Sequence, residues 1–271
     1  MAMLRQGCLM TDRHVQFIKE SMMQGDFKIA AAQFGPVRGD VEENTRRHLR
    51  LIAAAVEEGA NVVIFPELSL TGYEPDLARE LAFTDTDARL APFQAAAREQ
   101  GVTLMVGAPV QEGEGKPHIG LFVISPEAPV FHYSKMHLHP GEDQHFAPGA
   151  DEKVFTLQGV ALGLAICADT GVATHARNTA AAGAVAYLSS VLITAGGYAE
   201  DTAKLQDYAQ THGMCVIMSN FSGPSGGWEP IGKSAVWIPS GDLLAQGPQT
   251  GEALVIGVKT EAGWSGYVRT V

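Results

Sequence analysis

The sequence predicts an α/β fold in which helices cover a mixed β-sheet. From residue 27 onward, short apolar runs rich in Val, Ile and Ala alternate with amphipathic segments. Strand, helix and strand in close succession is typical of layered α/β architecture. Several later strands are joined by hairpins, so the sheet should be mixed rather than purely parallel. No repeat, low-complexity tract or linker divides residues 27–271, which we expect to form one domain.

The first predicted unit is a strand, a helix and a second strand. Residues 27–34 form an apolar run that is typical of a buried strand. Asp40 and Glu43 have the spacing of a capping box, which begins a helix that Gly59 ends. Residues 61–65 are the next buried strand. This order indicates a helix packed on the sheet that the two strands share.

The same alternation continues to residue 258. Helices are predicted at 87–100, 174–182 and 201–212. Further strands are predicted at 102–107, 120–125, 130–133, 154–157, 160–166, 185–193, 215–220, 235–238 and 253–258. The glycines at 113–116 indicate a hairpin tip, because this segment lacks the frame of a phosphate-binding loop. Residues 222–230, rich in Gly and Pro, are predicted to form a loop.

The first 26 residues do not continue this pattern. A short helix is predicted from His14 to Met22, and Met22 or Met23 is an alternative start. We expect this extension to be disordered or artefactual, and we assign it no function. It lacks the apolar core of a signal peptide. No apolar run in the sequence reaches the roughly 18 residues that a membrane span needs.

Composition and charge exclude several classes of protein. A hydrophobic content of 46% with 18% charged residues is that of an ordinary globular protein, which argues against a membrane protein. The net charge of −11 disfavours nucleic acid or an anionic membrane as a partner. Cys8, Cys167 and Cys215 are widely spaced and form no CxxC pair. This pattern is typical of a reducing compartment, so we expect the protein to be cytoplasmic.

Cys167 ends one of the predicted strands. The run from Val160 to Ile166 is apolar, and the polar turn Asp169-Thr-Gly follows the cysteine. In open α/β sheets, ligands bind in the crevice beyond the strand ends. Free cysteine is also among the most buried residue types, and this stretch alone favours a structural cysteine. Two other stretches make a nucleophile the better interpretation.

Glu67 and Lys135 also follow predicted strands. Glu67 comes directly after residues 62–65 and Pro66, where apolar neighbours would raise its pKa toward the range of a general base. The alternative for Glu67 is a helix-capping or surface carboxylate without a catalytic role. The alternative for Lys135 is an ordinary solvated lysine on the surface. Together with Cys167 they suit covalent catalysis, because Glu67 can accept the thiol proton. Lys135 can stabilise the thiolate and a developing oxyanion.

These stretches, in this order, resemble the nitrilase superfamily of carbon–nitrogen hydrolases. The matching segments lie within residues 27–258, and they are Phe65-Pro-Glu67, Leu70-Thr-Gly-Tyr73, Tyr133-Ser-Lys135-Met-His-Leu138, Ile166-Cys167-Ala-Asp169, Phe146-Ala-Pro-Gly149, Asn220-Phe-Ser-Gly223, Gly232-Lys-Ser234 and Pro239-Ser-Gly241. The resemblance implies a four-layer αββα sandwich with mixed β-sheets. It also implies a homodimer or a larger homo-oligomer, and no metal or organic cofactor.

The resemblance also implies the roles of individual residues. Cys167 would be the nucleophile, Glu67 the general base and Lys135 the oxyanion stabiliser, assisted by the backbone N–H of Ala168. Glu142 matches a second glutamate that supports the lysine and positions the substrate. Tyr73 is a candidate pocket residue, with a packed aromatic as the alternative. The implied reaction is hydrolysis of a non-peptide C–N bond in a small amide through a thioester.

Several other functions remain open from the sequence. Nitrile-hydrolysing relatives carry Trp-Glu after the cysteine, whereas this chain has Ala168-Asp169, so an amidase is favoured over a nitrilase. Hydrolysis of N-carbamoyl compounds is the main alternative. Outside this class, a non-catalytic scaffold of the same fold is possible. A metal hydrolase is another candidate, since His137, His139, Glu142, Asp143 and His145 have a composition that binds zinc.

Overall fold

Two mixed β-sheets lie at the centre of the computed structural model, which describes residues 25–271. The predictions for the preceding extension, including the helix from His14 to Met22, lie outside the described residues. The strands are β1 (Phe27–Gln33), β2 (Val62–Ile64), β3 (Thr103–Val110), β4 (His118–Ile124), β5 (Phe131–Ser134), β6 (Val154–Leu157), β7 (Val160–Ile166), β8 (Ala186–Val191), β9 (Cys215–Asn220), β10 (Ala235–Trp237), β11 (Leu243–Gln246), β12 (Ala253–Thr260) and β13 (Gly263–Thr270).

Each sheet combines a parallel centre with antiparallel flanks. The seven-stranded sheet has the order β13-β12-β1-β2-β3-β4-β5, in which β1, β2 and β3 are parallel. The six-stranded sheet has the order β11-β10-β9-β8-β7-β6, in which β7, β8 and β9 are parallel. Hairpins join β3 to β4 and β6 to β7. The prediction of a mixed sheet is therefore confirmed, and it applies to both sheets.

Four helices cover the outer faces of the two sheets. They are α1 (Val41–Glu57), α2 (Ala91–Gln100), α3 (Ala173–Ala181) and α4 (Tyr198–His212). Asp40 caps α1 as its spacing predicts, and its side chain accepts a hydrogen bond from the backbone N–H of Glu43 at 2.9 Å. Among the described residues, no helix is both long enough and apolar enough to span a bilayer.

Three apolar cores show that the molecule has four layers. Leu51 of α1 and Phe93 of α2 pack with Val63 on one face of the seven-stranded sheet. The opposite face of that sheet packs directly against the six-stranded sheet, where Ile29, Met105, Leu164, Leu188 and Ile217 are buried together. Leu205 and Ala209 of α4 cover the remaining face with Tyr187. This arrangement confirms the predicted αββα sandwich.

Two strands, β11 and β13, are not predicted from the sequence. Strand β13 pairs with β12 along its whole length, from Ala253 opposite Thr270 to Thr260 opposite Gly263. Its side chains are mostly exposed or half-buried, and so are those of β11. Both strands lie at a sheet edge. An edge strand that is solvated on one side lacks the apolar run by which buried strands are recognised, and pairing with its neighbour fixes it instead.

Candidate active site

Glu67 lies at the end of β2, on the seven-stranded sheet, and its side chain is buried. The backbone N–H of Phe65 still bonds to Met105 of β3 at 3.0 Å, after which the chain turns away through Leu68 at a φ of 53°. Gly107 permits this turn, because a Cβ there would lie 2.5 Å from the backbone nitrogen of Leu68. The local backbone therefore fixes Glu67 at the sheet edge.

Lys135 follows β5 and is completely buried. Its backbone is held on both sides, by Ile119 of β4 at 2.9 Å and by Gly149 at 2.7 Å. The ammonium Nζ donates to Glu67 Oε1 at 2.7 Å and to Glu142 Oε1 at 2.8 Å. A buried ammonium is stable only with such partners. The structure thus brings Glu67, Lys135 and Glu142 together.

Glu142 is fixed by groups from three parts of the chain. It begins a 3₁₀ helix of residues Glu142–Gln144 and is buried. In addition to Lys135, its Oε1 accepts a hydrogen bond from the hydroxyl of Tyr73 at 2.7 Å. Its Oε2 accepts one from the backbone N–H of His139 at 2.7 Å. Glu142 therefore orients the lysine, and Tyr73 orients Glu142.

Cys167 comes from the other sheet, directly after β7. It begins a 3₁₀ helix of residues Cys167–Gly171 and has a φ of 41°, in the left-handed region that non-glycine residues seldom adopt. Such backbone strain is often found at functional sites. The thiol Sγ lies 3.7 Å from the carbonyl oxygen of Leu192, and the side chain is half-buried. The turn directs the thiol into a cavity beside Glu67.

Burial and charge set the protonation of these groups. Burial raises the pKa of Glu67 from 4.5 to about 7, against the opposing effect of Lys135. Burial alone would lower the pKa of Lys135, but the negative groups beside it, chiefly Glu67, outweigh burial and raise it. Burial also raises the pKa of the Cys167 thiol. The resting thiol is therefore protonated. Glu67 Oε2 is buried without a hydrogen-bond partner among the described residues.

Asp169 joins the segment that carries Cys167 to the segment that carries Lys135. It is completely buried. Its Oδ1 accepts hydrogen bonds from the backbone N–H groups of Met136 at 3.1 Å and His137 at 2.9 Å. Its Oδ2 accepts from the backbone N–H of Ile166 at 3.0 Å and from the hydroxyl of Tyr133 at 2.7 Å. One carboxylate thus satisfies donors from both sheets.

A cavity of about 330 Å³ opens beside the candidate residues. Glu67, Glu142 and Cys167 line it, whereas Lys135 lies behind the two glutamates. Tyr73 and Ala168 also line it. The remaining lining residues come from the loop before Glu142 (His139), the turn after Cys167 (Thr170 and Gly171), the loop after β8 (Leu192, Ile193 and Thr194), the start of α4 (Gly197 and Asp201) and the loop that holds Trp228.

The similarity of this chain to known proteins agrees with the geometry. The carbon-nitrogen hydrolase family model matches residues 28–259. The chain belongs to the carbon-nitrogen hydrolase family. It is 27% identical over 232 residues to a nitrilase of Pyrococcus abyssi, covering 83% of this chain and 86% of the relative. The prediction of a hydrolase of the nitrilase superfamily is therefore confirmed.

Two further relatives of this carbon-nitrogen hydrolase have different names. A glutamine-dependent NAD(+) synthetase of Xanthomonas campestris pv. campestris is 30% identical over 241 residues, which cover 82% of this chain. That match spans only 40% of the synthetase. An amidase of Nesterenkonia sp. AN1 superposes with a TM-score of 0.80 at 26% identity, over 87% of this chain and 91% of the amidase. In that mutant structure, the acetamide moiety of fluoroacetamide is covalently added to the active site cysteine.

Of the histidines near the candidate site of this carbon-nitrogen hydrolase, His139 lines the cavity and His175 does not. His175, in α3 after the cysteine turn, is buried between the hydroxyls of Tyr133 at 2.9 Å and Tyr187 at 2.8 Å. Within residues 25–271, no group of three or more His, Cys, Asp or Glu side chains is arranged to hold a metal ion. Glu142, part of the zinc-like composition, instead bonds Lys135.

Asp201 and Trp228 are among the cavity residues of this hydrolase that the sequence does not identify. Asp201 lies in the first turn of α4, where an acidic residue is expected for helix stability alone. Trp228 lies in a Gly/Pro-rich loop whose conformation the sequence does not specify. Nothing in either local pattern indicates that the two elements end at the same cavity. Only the packing of the second sheet and its helix brings them there.

Proposed function

We propose that this protein is an amidase that hydrolyses small amides through a Cys-Glu-Lys triad and a thioester intermediate. The main support is the buried lysine that bonds two glutamates, one of which lies beside a strained cysteine in a cavity. A scaffold protein has no need to bury this charged cluster, which is costly unless every group is paired. The named amidase with a modified cysteine supports the same reaction class.

The first step requires a proton to leave Cys167 as its sulfur attacks. Glu67 accepts this proton at the unpartnered Oε2, and a pKa of about 7 suits it to both accept and return a proton. The sulfur forms a bond to the amide carbon, and the C=O electrons move onto oxygen. Lys135, whose ammonium bonds the adjacent Glu67, and the backbone N–H of Ala168, directly after the nucleophile, stabilise that oxyanion.

The second half of the reaction returns the enzyme to its starting state. Protonated Glu67 gives its proton to the amide nitrogen, the C–N bond breaks, and ammonia or an amine leaves. Water then attacks the thioester while Glu67 accepts a proton from it. The C–S bond breaks, the acid is released, and Glu67 returns the proton to Cys167. No step needs an oxidant, a reductant or a co-substrate other than water.

The cavity supports a small substrate. Its volume of about 330 Å³ lies at the lower end of ordinary ligand pockets. Ala168, next to the nucleophile, adds only a methyl group to the lining. The neighbouring Asp169 is turned away into its own hydrogen bonds and does not line the cavity. These features favour a short acyl chain beside Cys167.

The test measures ammonia release together with the intact mass of the protein. The panel contains short aliphatic amides, glutamine, N-carbamoyl amino acids and nitriles, and glutamine is included because one relative is named glutamine-dependent. We expect turnover of amides and an acyl mass on the protein that Cys167→Ala abolishes. Cys215→Ala is the matched control, because Cys215 is buried in the core and lies outside the cavity.

Other outcomes of the same experiment would change the assignment. Ammonia from the carbamoyl compounds alone would make this an N-carbamoyl hydrolase, with the same nucleophile. Turnover that persists in Cys167→Ala would remove the cysteine from the mechanism. No turnover across the panel, with Cys167 also inert to iodoacetamide, would leave the scaffold hypothesis.

A further inference from the structure

The cavity is rich in carboxylates. Glu67, Glu142 and Asp201 line it together with His139, and no lining residue in the described part of the chain is lysine or arginine. Lys135 lies behind the first two carboxylates and bonds both of them. Asp201 is therefore the carboxylate of this cavity that the buried lysine does not bond. A substrate carboxylate close to Asp201 would be repelled by its charge.

Asp201 remains available to a ligand. Its side chain is 37% exposed, and its carboxylate lies over Gly197, which also lines the cavity. The cation beside it is Lys204, whose Nζ is 3.7 Å from Asp201 Oδ1. That ammonium is hydrogen-bonded at 2.8 Å to Glu200 instead. Lys204 therefore offsets the charge of Asp201 only in part.

Trp228 presents an aromatic surface to the same cavity and is 47% exposed. Its position is fixed by the backbone. Ser225 and Trp228 exchange two backbone hydrogen bonds of 3.1 and 2.9 Å, and the Ser225 hydroxyl accepts one from the N–H of Tyr73 at 2.8 Å. Gly226 packs so tightly against Tyr73 that a Cβ would lie 2.1 Å from its carbonyl oxygen. An exposed indole held in this way is suited to a cation–π contact.

We propose that Asp201 and Trp228 form a subsite for a positively charged group, so that the preferred substrates are small amides that carry a protonated amine away from the reacting carbonyl. This inference rests on the proposed amidase function and specifies its substrate class. Carboxylate and indole together favour an ammonium over a neutral methyl of the same size. The net charge of −11 adds a field that attracts cations and repels anions.

The test compares three amides of matched chain length: 4-aminobutyramide, which is cationic, pentanamide, which is its neutral isostere, and glutaramate, which is anionic. We expect kcat/KM of the wild type to be about tenfold higher for the cationic than for the neutral amide, with the anionic amide poorest. Asp201→Asn should lower the cationic value about fivefold, mainly through KM, and should affect pentanamide far less. Trp228→Ala should also reduce the preference for the cation.

Asp207→Asn provides the matched control. Asp207 is another acidic residue of α4, but it is exposed and does not line the cavity. Its substitution removes the same charge and should leave the preference intact. An equal loss in Asp207→Asn and Asp201→Asn would overturn a direct contact in favour of the general field of the protein.

The remaining outcomes separate this inference from the proposed function. Pentanamide turned over as well as 4-aminobutyramide would overturn the subsite while the amidase assignment stands. A preference that survives in the Asp201→Asn, Trp228→Ala double variant would likewise overturn it. No turnover of any amide, with no acyl mass on Cys167, would remove the proposed function and the subsite with it.

Discussion

Asp169 Oδ1 accepts a hydrogen bond from the backbone N–H of His137 at 2.9 Å and lies 3.0 Å from its ring Nδ1. Asp169 is two residues beyond Cys167, and His137 is two residues beyond Lys135. The candidate nucleophile and the candidate oxyanion stabiliser come from different sheets, so their separation depends on how the two loops meet. This buried carboxylate is the direct connection between them.

Asp169→Asn should lower kcat strongly while leaving KM nearly unchanged. In asparagine an NH2 group replaces one carboxylate oxygen, so its hydrogens would face two backbone or hydroxyl donors. This loss of a buried acceptor should lower the free energy of unfolding by about 2–4 kcal/mol. The loops would then shift, and the rate at which iodoacetamide labels Cys167 should change with kcat. Steady-state kinetics, urea unfolding and the labelling rate check these effects.

Asp143→Asn is the control for this variant. Asp143 is exposed and lies in the same stretch of chain as Glu142. Its substitution removes an equal charge but no buried acceptor, so we expect changes in stability within about 0.5 kcal/mol. If Asp169→Asn kept the kcat and labelling rate of the wild type, Asp169 would not position the two loops.

Tyr73→Phe should lower kcat about tenfold. The hydroxyl of Tyr73 donates to Glu142 Oε1, the same atom that accepts from Lys135. Its loss leaves the carboxylate freer to turn and the lysine less firmly oriented. Tyr198→Phe is a matched control, because its hydroxyl also donates to the protein, to the carbonyl of Lys233 at 2.8 Å, but lies outside the cavity. Equal kinetics for both variants would contradict a role for Tyr73 in positioning Glu142.

The sequence predicts the identity of the candidate site residues better than their environment. Glu67, Lys135 and Cys167 each follow an apolar strand, and this pattern is visible without a structure. The positive φ of Cys167 is set by the turn between β7 and the 3₁₀ helix, which no local composition signals. Asp201 likewise reaches the cavity through packing of α4, a tertiary relationship. The local sequence pattern predicts where a strand ends. The packing of the two sheets and their helices decides which strand ends lie next to one another.

In the fold, buried strands are predicted from the sequence and edge strands are not. Buried strands such as β1 and β7 have continuous apolar runs and were predicted nearly to their ends. The edge strands β11 and β13 have none. His48 of α1 is completely buried, although a histidine in an amphipathic helix is more often found on its polar face. A histidine counts as polar in a periodic pattern. Here the ring centroid of His48 lies 4.1 Å from that of Phe65, and both ring nitrogens have hydrogen-bond partners inside the protein.

His48 should make the protein less stable as the pH falls. Burial lowers its pKa from 6.5 to about 3, and its ring nitrogens contact Asn44 O at 2.6 Å and Ser69 Oγ at 2.9 Å. Between these two values the unfolded chain binds a proton that the folded protein does not, so the free energy of unfolding declines as the pH is lowered. The decline reaches up to about 5 kcal/mol across the window.

Denaturant unfolding between about pH 7 and pH 4 measures this decline. His48→Gln should be less stable than the wild type near neutral pH but should lose less stability on acidification. His139→Gln is the control, since His139 is exposed. Parallel pH curves for the wild type and His48→Gln would contradict a buried neutral imidazole.

The pH dependence of turnover should follow the ionisation of Glu67. The proposed base must be deprotonated to accept the thiol proton, and burial raises the pKa of Glu67 to about 7. For a neutral amide, kcat/KM should therefore rise about tenfold per pH unit below about pH 7 and level off above it.

The charge of Glu142 raises the pKa of Glu67 further, so Glu142→Gln should move the acidic limb of this profile to lower pH. The kcat of this variant should also fall, because Lys135 loses a hydrogen-bond partner. Gln144→Glu, a charge added on the exposed side of the same 3₁₀ helix, should leave the limb in place. A limb that stays fixed in Glu142→Gln, or a flat profile in the wild type, would show that a group other than Glu67 controls the rate.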